Sequence, residues 1–413
     1  MKESLNIGII GLGARTMGLL KLAILKMKDV RVIALCDLYP DRVEQAQNLI
    51  FNKTKVRAEG FSDYKDFINF SKNKIDCVII ATSWKSHAKI SIACLENGIP
   101  VGAEVGGAFS IDECWELVNA YEKIKTPFMF LENCCYGKYE LSCLAMKNEG
   151  IFGEIVACEC AYRHDLREEI SNGEKNRHYR LQEYIDRNCE NYPTHGIGPV
   201  AKLLDLGHGN RMETLVSFTS QSKGLKNYIS KNLNNPDLAK LQDIVFKQAD
   251  IVHTLIKCHN GELIKMTLDT TLPRFYSRGL VVNGTNAMYQ EDGNIFFNDQ
   301  NKRHKIFHYL PSRLYNNGKW MTYKYKHPIW RNFRKKTAGH GGMDWLVLRA
   351  FFESIKNGEK IMPIDVYDAV SWMVISVLSE ESIKNGNKVV EFPDFTNGKW
   401  NNKKIKNDKI YYI

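Results

Sequence analysis

Residues 6–15 read NIGIIGLGAR, and this stretch decides the fold because an apolar run ends there in two glycines one residue apart. A run of strand length, then glycines, then the helically spaced TMGLLKLAILKM (16–27) is typical of a strand, a tight turn and a helix. The alternation continues in VRVIALCD (30–37), PDRVEQAQNLIF (40–51), KIDCVIIAT (74–82), HAKISIACLENG (87–98) and IPVGAEV (99–105). Strands that alternate with helices predict a parallel sheet with right-handed crossovers.

Two glycines and one carboxylate at the ends of these strands predict a dinucleotide site. Gly11 and Gly13 let the backbone turn tightly and approach a pyrophosphate, which the N-terminus of the next helix stabilises. Asp37 ends the second strand, where a carboxylate can accept hydrogen bonds from the adenosine ribose. Thr16 stands where the usual fingerprint has its third glycine. Because Asp37 would repel a ribose 2′-phosphate, the pattern favours NAD over NADP.

The length of 413 residues predicts two domains, and 44% hydrophobic with 25% charged residues is a globular composition. We expect a Rossmann domain over residues 1–137 and an α+β domain over residues 138–413, built on an open, largely antiparallel sheet. Its predicted strands lie in 154–164, 250–271 and 278–297, and its late helices in 342–358 and 365–386. The C-terminal helices are free to pack back on the first domain in this prediction.

Charge and cysteine usage exclude several classes of function. The net charge of +10 is spread along the chain, which indicates a solvated surface rather than a nucleic-acid site. The chain shows neither a secretion signal nor a membrane-spanning run, so it is expected to be soluble and cytoplasmic. The eleven scattered cysteines predict reduced core thiols, and Cys134-Cys135 and Cys158-x-Cys160 lack the CxxC spacing of a metal site.

Motifs along the whole chain carry a resemblance to known families. GIIGLGxR, ALCDLYPDR, ATSWKSH and ENG resemble the Gfo/Idh/MocA family of nicotinamide-dependent sugar oxidoreductases. A narrower resemblance, to glycoside hydrolase family 109, the NAD-dependent α-N-acetylgalactosaminidase group, rests on ENCCYG (132–137), AYRHDLR (161–167), NYPTHGIGPV (191–200), DTTLPRFYSRG (269–279), GHGGMDW (339–345), DVYDA (365–369) and EFPDFTNGKW (391–400).

One position separates the two families on chemical grounds. The wider oxidoreductase family carries Glu-Lys-Pro, whose lysine helps to move the proton of the substrate hydroxyl. This chain has Glu104-Val105-Gly106 there, and valine cannot transfer a proton. Val105 matches the hydrolase branch, whereas Gly106 replaces a proline expected in both.

The hydrolase resemblance implies a redox cycle on the sugar. C3 is oxidised transiently by NAD, the C1 substituent is eliminated after loss of the C2 proton, water adds at C1, and C3 is reduced again. The resemblance assigns His195 to proton transfer in the redox step, Tyr162 to the C2 proton, and Arg180, Tyr192 and Tyr276 to sugar binding. The cofactor contacts that it implies are Gly11, Gly13, Ala14, Arg15, Asp37, Trp84, His87, Glu104 and Asn133.

Several alternatives stay open at this point. His164 and Asp165 lie as close to the predicted site as Tyr162 and are alternative bases. His340 is either a cofactor contact or a backbone cap, and His87 either touches the cofactor or caps its helix. NYPTHGIGPV itself is interpreted as a turn-like cluster that holds Tyr192 and His195.

The substrate and the overall reaction also have alternatives. The stretch between Arg167 and Arg180 is shorter and more polar than the family pattern, and Tyr179 stands where tryptophan is common, so the preferred sugar is not assigned. The other two hypotheses are an NAD-dependent sugar or cyclitol dehydrogenase and a non-catalytic NAD- and sugar-binding regulator. A homo-oligomer is expected, because the open sheet presents unpaired strands.

Overall fold

The computed structural model describes residues 2–300, 309–331, 333, 339–402 and 409–413. The chain divides into two compact units, the first made of Met1–Tyr136, Asn332–Ser371 and Asn407–Ile413, the second of Gly137–Arg331 and Trp372–Lys406. The sequence predicted one domain over residues 138–413 but left its C-terminal helices free to pack back on the first domain. In this division the described residues of 339–371 belong to the first unit.

Fourteen strands are present in the described part of the chain. They are β1 (Leu5–Ile10), β2 (Val30–Cys36), β3 (Glu59–Phe61), β4 (Cys77–Ile80), β5 (Val101–Ala103), β6 (Phe128–Phe130), β7 (Ile155–Arg163), β8 (Met212–Thr219), β9 (Ile251–Cys258), β10 (Leu263–Asp269), β11 (Val281–Gly284), β12 (Ala287–Gln290), β13 (Ile295–Asn298) and β14 (Val390–Glu391).

The α-helices in the same residues are numbered separately. They are α1 (Ala14–Leu22), α2 (Pro40–Thr54), α3 (Tyr64–Ser71), α4 (Trp84–Glu96), α5 (Ile111–Ile124), α6 (Lys138–Asn148), α7 (Arg167–Ser171), α8 (Arg180–Asp186), α9 (Thr194–Leu203), α10 (Gly224–Ser230), α11 (Pro236–Ala239), α12 (Gly318–Lys324), α13 (Pro328–Arg331), α14 (Met343–Lys356), α15 (Val366–Met373) and α16 (Ile375–Lys384).

The first unit is built on a six-stranded parallel sheet in the order β3-β2-β1-β4-β5-β6. This confirms the Rossmann prediction, since the strand order reverses between β1 and β4 as in a doubly wound fold. Gly102 of β5 lies against Phe351 of α14, where a Cβ on residue 102 would come within 2.8 Å of the ring. Phe130 also donates its backbone N–H to the carbonyl of Ile364 at 3.0 Å.

The second unit is built on an eight-stranded sheet in the order β13-β12-β11-β7-β10-β9-β8-β14. All neighbours are antiparallel except β7 and β10, which run parallel, so the predicted largely antiparallel sheet is confirmed. Cys158, Cys160 and Tyr162 of β7 alternate onto one buried face. Gly196 of α9 packs against this face, with the position of a Cβ only 3.2 Å from the backbone nitrogen of Ala161.

Two helical predictions and one turn prediction need correction. The helix expected over 16–27 ends at Leu22 and is followed by a 3-10 turn at Ile24–Lys26. The single helix expected over 365–386 is two helices, α15 and α16, which meet at Val374. The turn-like cluster at 191–200 is helical from Thr194 onward, because α9 begins there and accommodates Pro199.

The cysteines and the apolar runs of the sequence lie in the interior of the protein. All eleven cysteine side chains are buried, and burial raises the pKa of the Cys160 thiol well above its usual range. Within the described residues, none of the helices combines the length and the apolar character needed to cross a bilayer.

α16 fixes the chain just before the motif at 191–200. The N–H of Glu190 donates to Ser379 Oγ at 2.9 Å, and Ser376 Oγ donates to the Glu190 carbonyl at 2.8 Å. The Glu190 side chain is 1% exposed, and its Oε2 atom has no hydrogen-bond partner among the described residues. Burial raises the pKa of this carboxyl to about 8, so it is held largely protonated at neutral pH.

The raised pKa of Glu190 predicts a pH-dependent cost. The carboxyl keeps its proton in the folded state up to about pH 8, whereas it ionises near pH 4.5 in the unfolded state. Its contribution to the stability of the fold is therefore full below pH 4.5 and is lost as the pH rises to about 8. Glutamine cannot ionise, so the free energy of unfolding of Glu190→Gln, relative to that of the wild type, should increase by up to about 1.4 kcal/mol per pH unit across that window. Chemical denaturation from pH 4 to 9 measures the difference.

The exposed Glu174→Gln is the matched control, and it should follow the wild type at every pH. A Glu190→Gln curve parallel to that of the wild type would show that Glu190 ionises normally in the folded protein.

Candidate functional site

The glycine turn after β1 has the shape that a pyrophosphate needs. Gly11 has φ +92°, and a Cβ there would lie 2.5 Å from the carbonyl carbon of Ala81, so only glycine fits. Gly13 caps α1, and its side faces open space: the nearest atom to an added Cβ is Arg42 Nη1 at 3.8 Å. Ala14 is the first residue of α1. An anion can therefore approach the backbone at Gly13 and the N-terminus of α1.

Thr16 explains why the third glycine is dispensable. Its side chain is 1% exposed, and Oγ1 donates to the Gly11 carbonyl at 2.6 Å. The hydroxyl thus closes the turn from inside the helix. A threonine here stabilises the conformation that glycine would merely permit.

Asp37 connects the end of β2 to the same turn. Its Oδ2 accepts from the Leu12 N–H at 2.7 Å, and its Oδ1 accepts from the Tyr39 N–H at 3.0 Å. Arg42 Nη1 lies 3.9 Å from Oδ2. Each carboxylate oxygen can accept a further hydrogen bond, so Asp37 has the capacity to bind a ribose diol, and that contact stays a prediction. The open side of Gly13 and the acceptor at Asp37 fit a dinucleotide.

Arg15 joins parts of the first unit that are distant in sequence. Its Nη1 and Nη2 donate to the two oxygens of Asp344 at 2.8 and 2.9 Å, and its Nε and Nη2 donate to Glu104 Oε1 at 3.2 and 3.0 Å. Asn133 Nδ2 donates to Asp344 Oδ1 at 2.7 Å. Burial opposes ionisation of Asp344, but hydrogen bonds from His340 and Arg15 hold the pKa of its carboxyl well below the usual range.

The structure gives His340 a partner and leaves its cofactor contact a prediction. Its Nδ1 lies 2.9 Å from Asp344 Oδ2 and 3.2 Å from Arg15 Nη1, while 54% of its side chain is exposed. Asp344 is the residue that the sequence analysis missed. The motif GHGGMDW contains it, but only the Arg15 contact shows why an acid is needed there.

Gly106, the departure from the family proline, has a steric explanation. A Cβ on this residue would lie 2.5 Å from Cδ1 and 2.9 Å from Cγ of Trp84, the first residue of α4. The indole ring therefore occupies the space of a side chain at 106. Trp84 is 4% exposed, and its predicted contact with a cofactor is not tested by this packing.

His87 supports its own turn. The ring is 5% exposed and its Nε2 lies 3.0 Å from the Thr82 carbonyl. Burial lowers the pKa of His87 to about 4, so the ring is neutral at physiological pH. His87 lies within α4, whose N-terminus has no side-chain cap, so the capping alternative is wrong, and a direct contact with the cofactor stays a prediction.

In the second unit, residues from four segments meet in one aromatic cluster. Tyr162 of β7 has its ring centroid 4.5 Å from Tyr192, 5.5 Å from His195 and 6.4 Å from Tyr276. The Arg180 guanidinium lies 5.0 Å from the centre of the Tyr192 ring. All five side chains that were predicted to bind or react with a sugar are thus brought together.

The polar atoms of this cluster pair in two sets. Tyr192 OH lies 3.4 Å from His195 Nε2, and Tyr162 OH lies 3.2 Å from His164 Nδ1. Burial raises the pKa of the Tyr162 phenol above its usual range. Burial also lowers the pKa of His164, which favours a neutral ring able to accept a proton. His164 is therefore better suited than Tyr162 to be a base.

The acidic residues near the cluster are held by arginines. Both oxygens of Asp165 accept from Arg167, at 2.8 and 2.7 Å, and this hydrogen bonding lowers the pKa of Asp165. Glu169 Oε1 lies 2.7 Å from Arg180 Nε. Carboxylates paired in this way are weak bases, which counts against the Asp165 alternative.

Tyr276 is positioned by a buried cation. Arg278 Nη1 donates to the Tyr276 phenol oxygen at 3.3 Å, and Arg278 Nε donates to Glu140 at 2.5 Å. The Tyr276 side chain itself remains 43% exposed. Arg278 therefore positions the Tyr276 side chain, which remains accessible to solvent.

Comparisons with known proteins bear on both units. Residues 136–402 match the family model described as glycosyl hydrolase 109, C-terminal domain, and residues 5–130 match the oxidoreductase family with an NAD-binding Rossmann fold. An α-N-acetylgalactosaminidase from Tannerella forsythia is 37% identical, over 96% of this chain and 87% of that protein. A glycosyl hydrolase family 109 protein from Stenotrophomonas maltophilia is 35% identical, over 97% and 91%.

Solved structures share the fold. An oxidoreductase from Agrobacterium radiobacter, in complex with NAD+, L-tartaric acid and magnesium, has a TM-score of 0.65 at 16% identity, covering 94% of this chain and 98% of its own. Scyllo-inositol dehydrogenase from Lactobacillus casei, with bound NAD(H) and scyllo-inositol, has a TM-score of 0.62 at 13% identity, covering 94% and 99%. At such identities the likeness concerns the fold alone.

The packing of Trp84 on Gly106 predicts that the family proline, or even alanine, is not tolerated here. Gly106→Ala should destabilise the protein by about 1 to 3 kcal/mol, because the added Cβ collides with the indole ring. Differential scanning calorimetry measures the loss. Gly18→Ala in α1 is the matched control, since nothing lies within 4 Å of its added Cβ, and it should be neutral or slightly stabilising. Equal melting temperatures for the two variants would contradict the steric explanation.

Proposed function

The chain belongs to the glycosyl hydrolase 109 family, and on that premise we propose that it is an NAD-dependent glycosidase for a small α-N-acetylgalactosaminide-like glycoside. The observation that carries the proposal is the chemistry of the cluster in the second unit. Its phenols and imidazoles pair with one another, whereas the nearby carboxylates Asp165 and Glu169 pair with arginines. A glycosidase of the usual kind needs two carboxylates beside the bond that it cleaves.

A dinucleotide held by Gly11, Gly13 and Asp37 would supply reversible hydride exchange at C3 of the sugar, which makes the C2 proton acidic enough to remove. The chain's own groups then have to move protons and hold the sugar. Val105 offers no proton-transfer group for the C3 hydroxyl.

His195 takes that duty in the proposal. Its Nε2 lies 3.4 Å from the Tyr192 phenol, so the imidazole and the phenol can share a proton. His195 accepts the proton of the C3 hydroxyl and later returns it. Tyr192 keeps the ring oriented toward this exchange.

For the C2 proton we favour the pair of Tyr162 and His164 over Tyr162 alone. Burial makes Tyr162 a poor base by itself, because it disfavours the phenolate. The neutral ring of His164, 3.2 Å from the phenol oxygen, accepts the proton that leaves C2. Tyr162 orients that ring.

Arg180 and Tyr276 bind the sugar in this proposal. The buried guanidinium of Arg180 lies over the Tyr192 ring and beside Glu169, so its direction is fixed before a ligand arrives. Tyr276, held by Arg278, presents its phenol from the other segment.

Aryl glycosides in D2O test the function. For a recycled cofactor, we expect release of the phenol from an aryl α-N-acetylgalactosaminide, deuterium at C2 of the sugar and no net NADH, measured by absorbance and NMR. Stoichiometric NADH without cleavage would identify a sugar or cyclitol dehydrogenase instead. Binding of nucleotide and sugar without either signal would identify a regulator.

His195 should be essential for turnover and irrelevant to nucleotide binding. His195→Asn removes the proton acceptor and should lower kcat at least about 100-fold, while the protein still binds NAD by calorimetry. The control is His253→Gln, whose ring bonds to Thr267 Oγ1 at 3.1 Å on the sheet of the same unit, and it should keep full activity. Near-normal turnover in His195→Asn would return the motif to a structural role.

A further inference from the structure

Three charged groups of the first unit are not used by the chemistry proposed above. Glu104 and Asp344 are two carboxylates that share the single guanidinium of Arg15. Their side chains are 7% and 4% exposed, and that of Arg15 is 32% exposed. One negative charge among these three groups is therefore left without compensation, in a poorly solvated place.

The backbone around Asp344 is built for this arrangement. Gly339, His340, Gly341 and Gly342 all have positive φ, at 80°, 39°, 68° and 109°. A Cβ at residue 339 would lie 2.3 Å from Asp344 Oδ2. The three glycines adopt these angles without steric penalty, whereas the left-handed conformation of His340 costs free energy unless its surroundings hold it.

The position of Glu104 in the sheet shows which part of a dinucleotide these charges face. Glu104 directly follows β5, and β5 lies on the opposite side of the β1–β4 reversal from β2 and Asp37. The two halves of a doubly wound sheet bind the two ends of a dinucleotide. With Asp37 on the adenosine half, Glu104 belongs to the nicotinamide half.

We propose that Glu104 and Asp344 together favour the oxidised form of the nicotinamide over the reduced form. The oxidised ring carries a positive charge that the reduced ring lacks, and an uncompensated carboxylate in a poorly solvated place interacts with that charge more strongly than in water. This inference rests on the proposed function, because it assumes a nicotinamide that is reduced and reoxidised within one turnover.

A preference for the oxidised nicotinamide would help to complete such a cycle. When C3 is oxidised, its hydride leaves with the bonding pair and the hydroxyl proton goes to a base of the protein. A site that favours the oxidised nicotinamide shifts this equilibrium back, so that C3 regains its hydride and its oxygen regains the proton. The cycle then closes on the hydrolysed sugar, and a ketone is not released.

Calorimetry on the full-length protein tests the inference. After removal of bound nucleotide, its affinities for NAD+ and for NADH are measured separately. An imidazolium at His340 would add a compensating charge next to Asp344, so the titrations are run at pH 8.5, where imidazoles are generally neutral. Asp344→Asn keeps the size of the side chain and removes its charge. We expect the preference for NAD+ over NADH to fall about fivefold or more.

Charge and geometry are separated by further variants. Asp344→Glu keeps the charge and should keep the preference even if both affinities weaken. Glu104→Gln removes the other carboxylate and should lower the preference as Asp344→Asn does. If Asp344→Asn fails to fold, Glu104→Gln takes its place in the test. The exposed Glu116→Gln on α5 is the control for net charge and should change neither affinity.

Each outcome decides something. An Asp344→Asn protein that binds both nucleotides in the wild-type ratio, or an Asp344→Glu protein that loses the preference, would overturn this inference and leave the proposed function standing. A wild-type protein that binds neither nucleotide would overturn the NAD-dependent function itself.

Discussion

The aromatic cluster depends on how closely α9 can approach β7. At Gly196 there is room for a hydrogen and little more, since a Cβ would lie 3.2 Å from both the Ala161 nitrogen and the Cys160 sulfur. His195, the neighbouring residue, is thereby brought within 5.5 Å of the Tyr162 ring. A Cβ here would require α9 and β7 to shift apart by a few tenths of an ångström, which would change the distance of the imidazole from the phenols.

The hydrogen bonds from α16 to Glu190 also help to position the cluster. Two serine hydroxyls hold the backbone of Glu190 on both its donor and its acceptor. This satisfies the polar backbone groups that a buried loop would otherwise leave unpaired. The chain therefore enters the motif at 191–200 from a fixed point, and Tyr192 and His195 need no ligand to define their places.

Each unit also handles its buried charge in its own way. In the second unit Asp165 and Glu169, beside the cluster, are paired with arginines, which favours its imidazoles and phenols as the groups suited to proton transfer. In the first unit two carboxylates share one arginine, so a charge is left over. The first pattern suits chemistry on an uncharged sugar, and the second suits a ligand whose charge changes during the reaction.

The sequence by itself determined the parallel sheet and the glycine turn, because alternation and turn chemistry are local properties. The residues of the cluster were named only through the resemblance of its short motifs to a known family. The sequence did not show β3 and β6, which have three residues each and no periodicity to read. Only the tertiary structure decided that Asp344 pairs with Arg15 across 329 positions, that Trp84 fills the space at Gly106, and that His164 rather than Asp165 faces Tyr162. Those choices depend on which side chains meet in space and on how burial shifts their protons, and neither is a property of any short stretch of the chain.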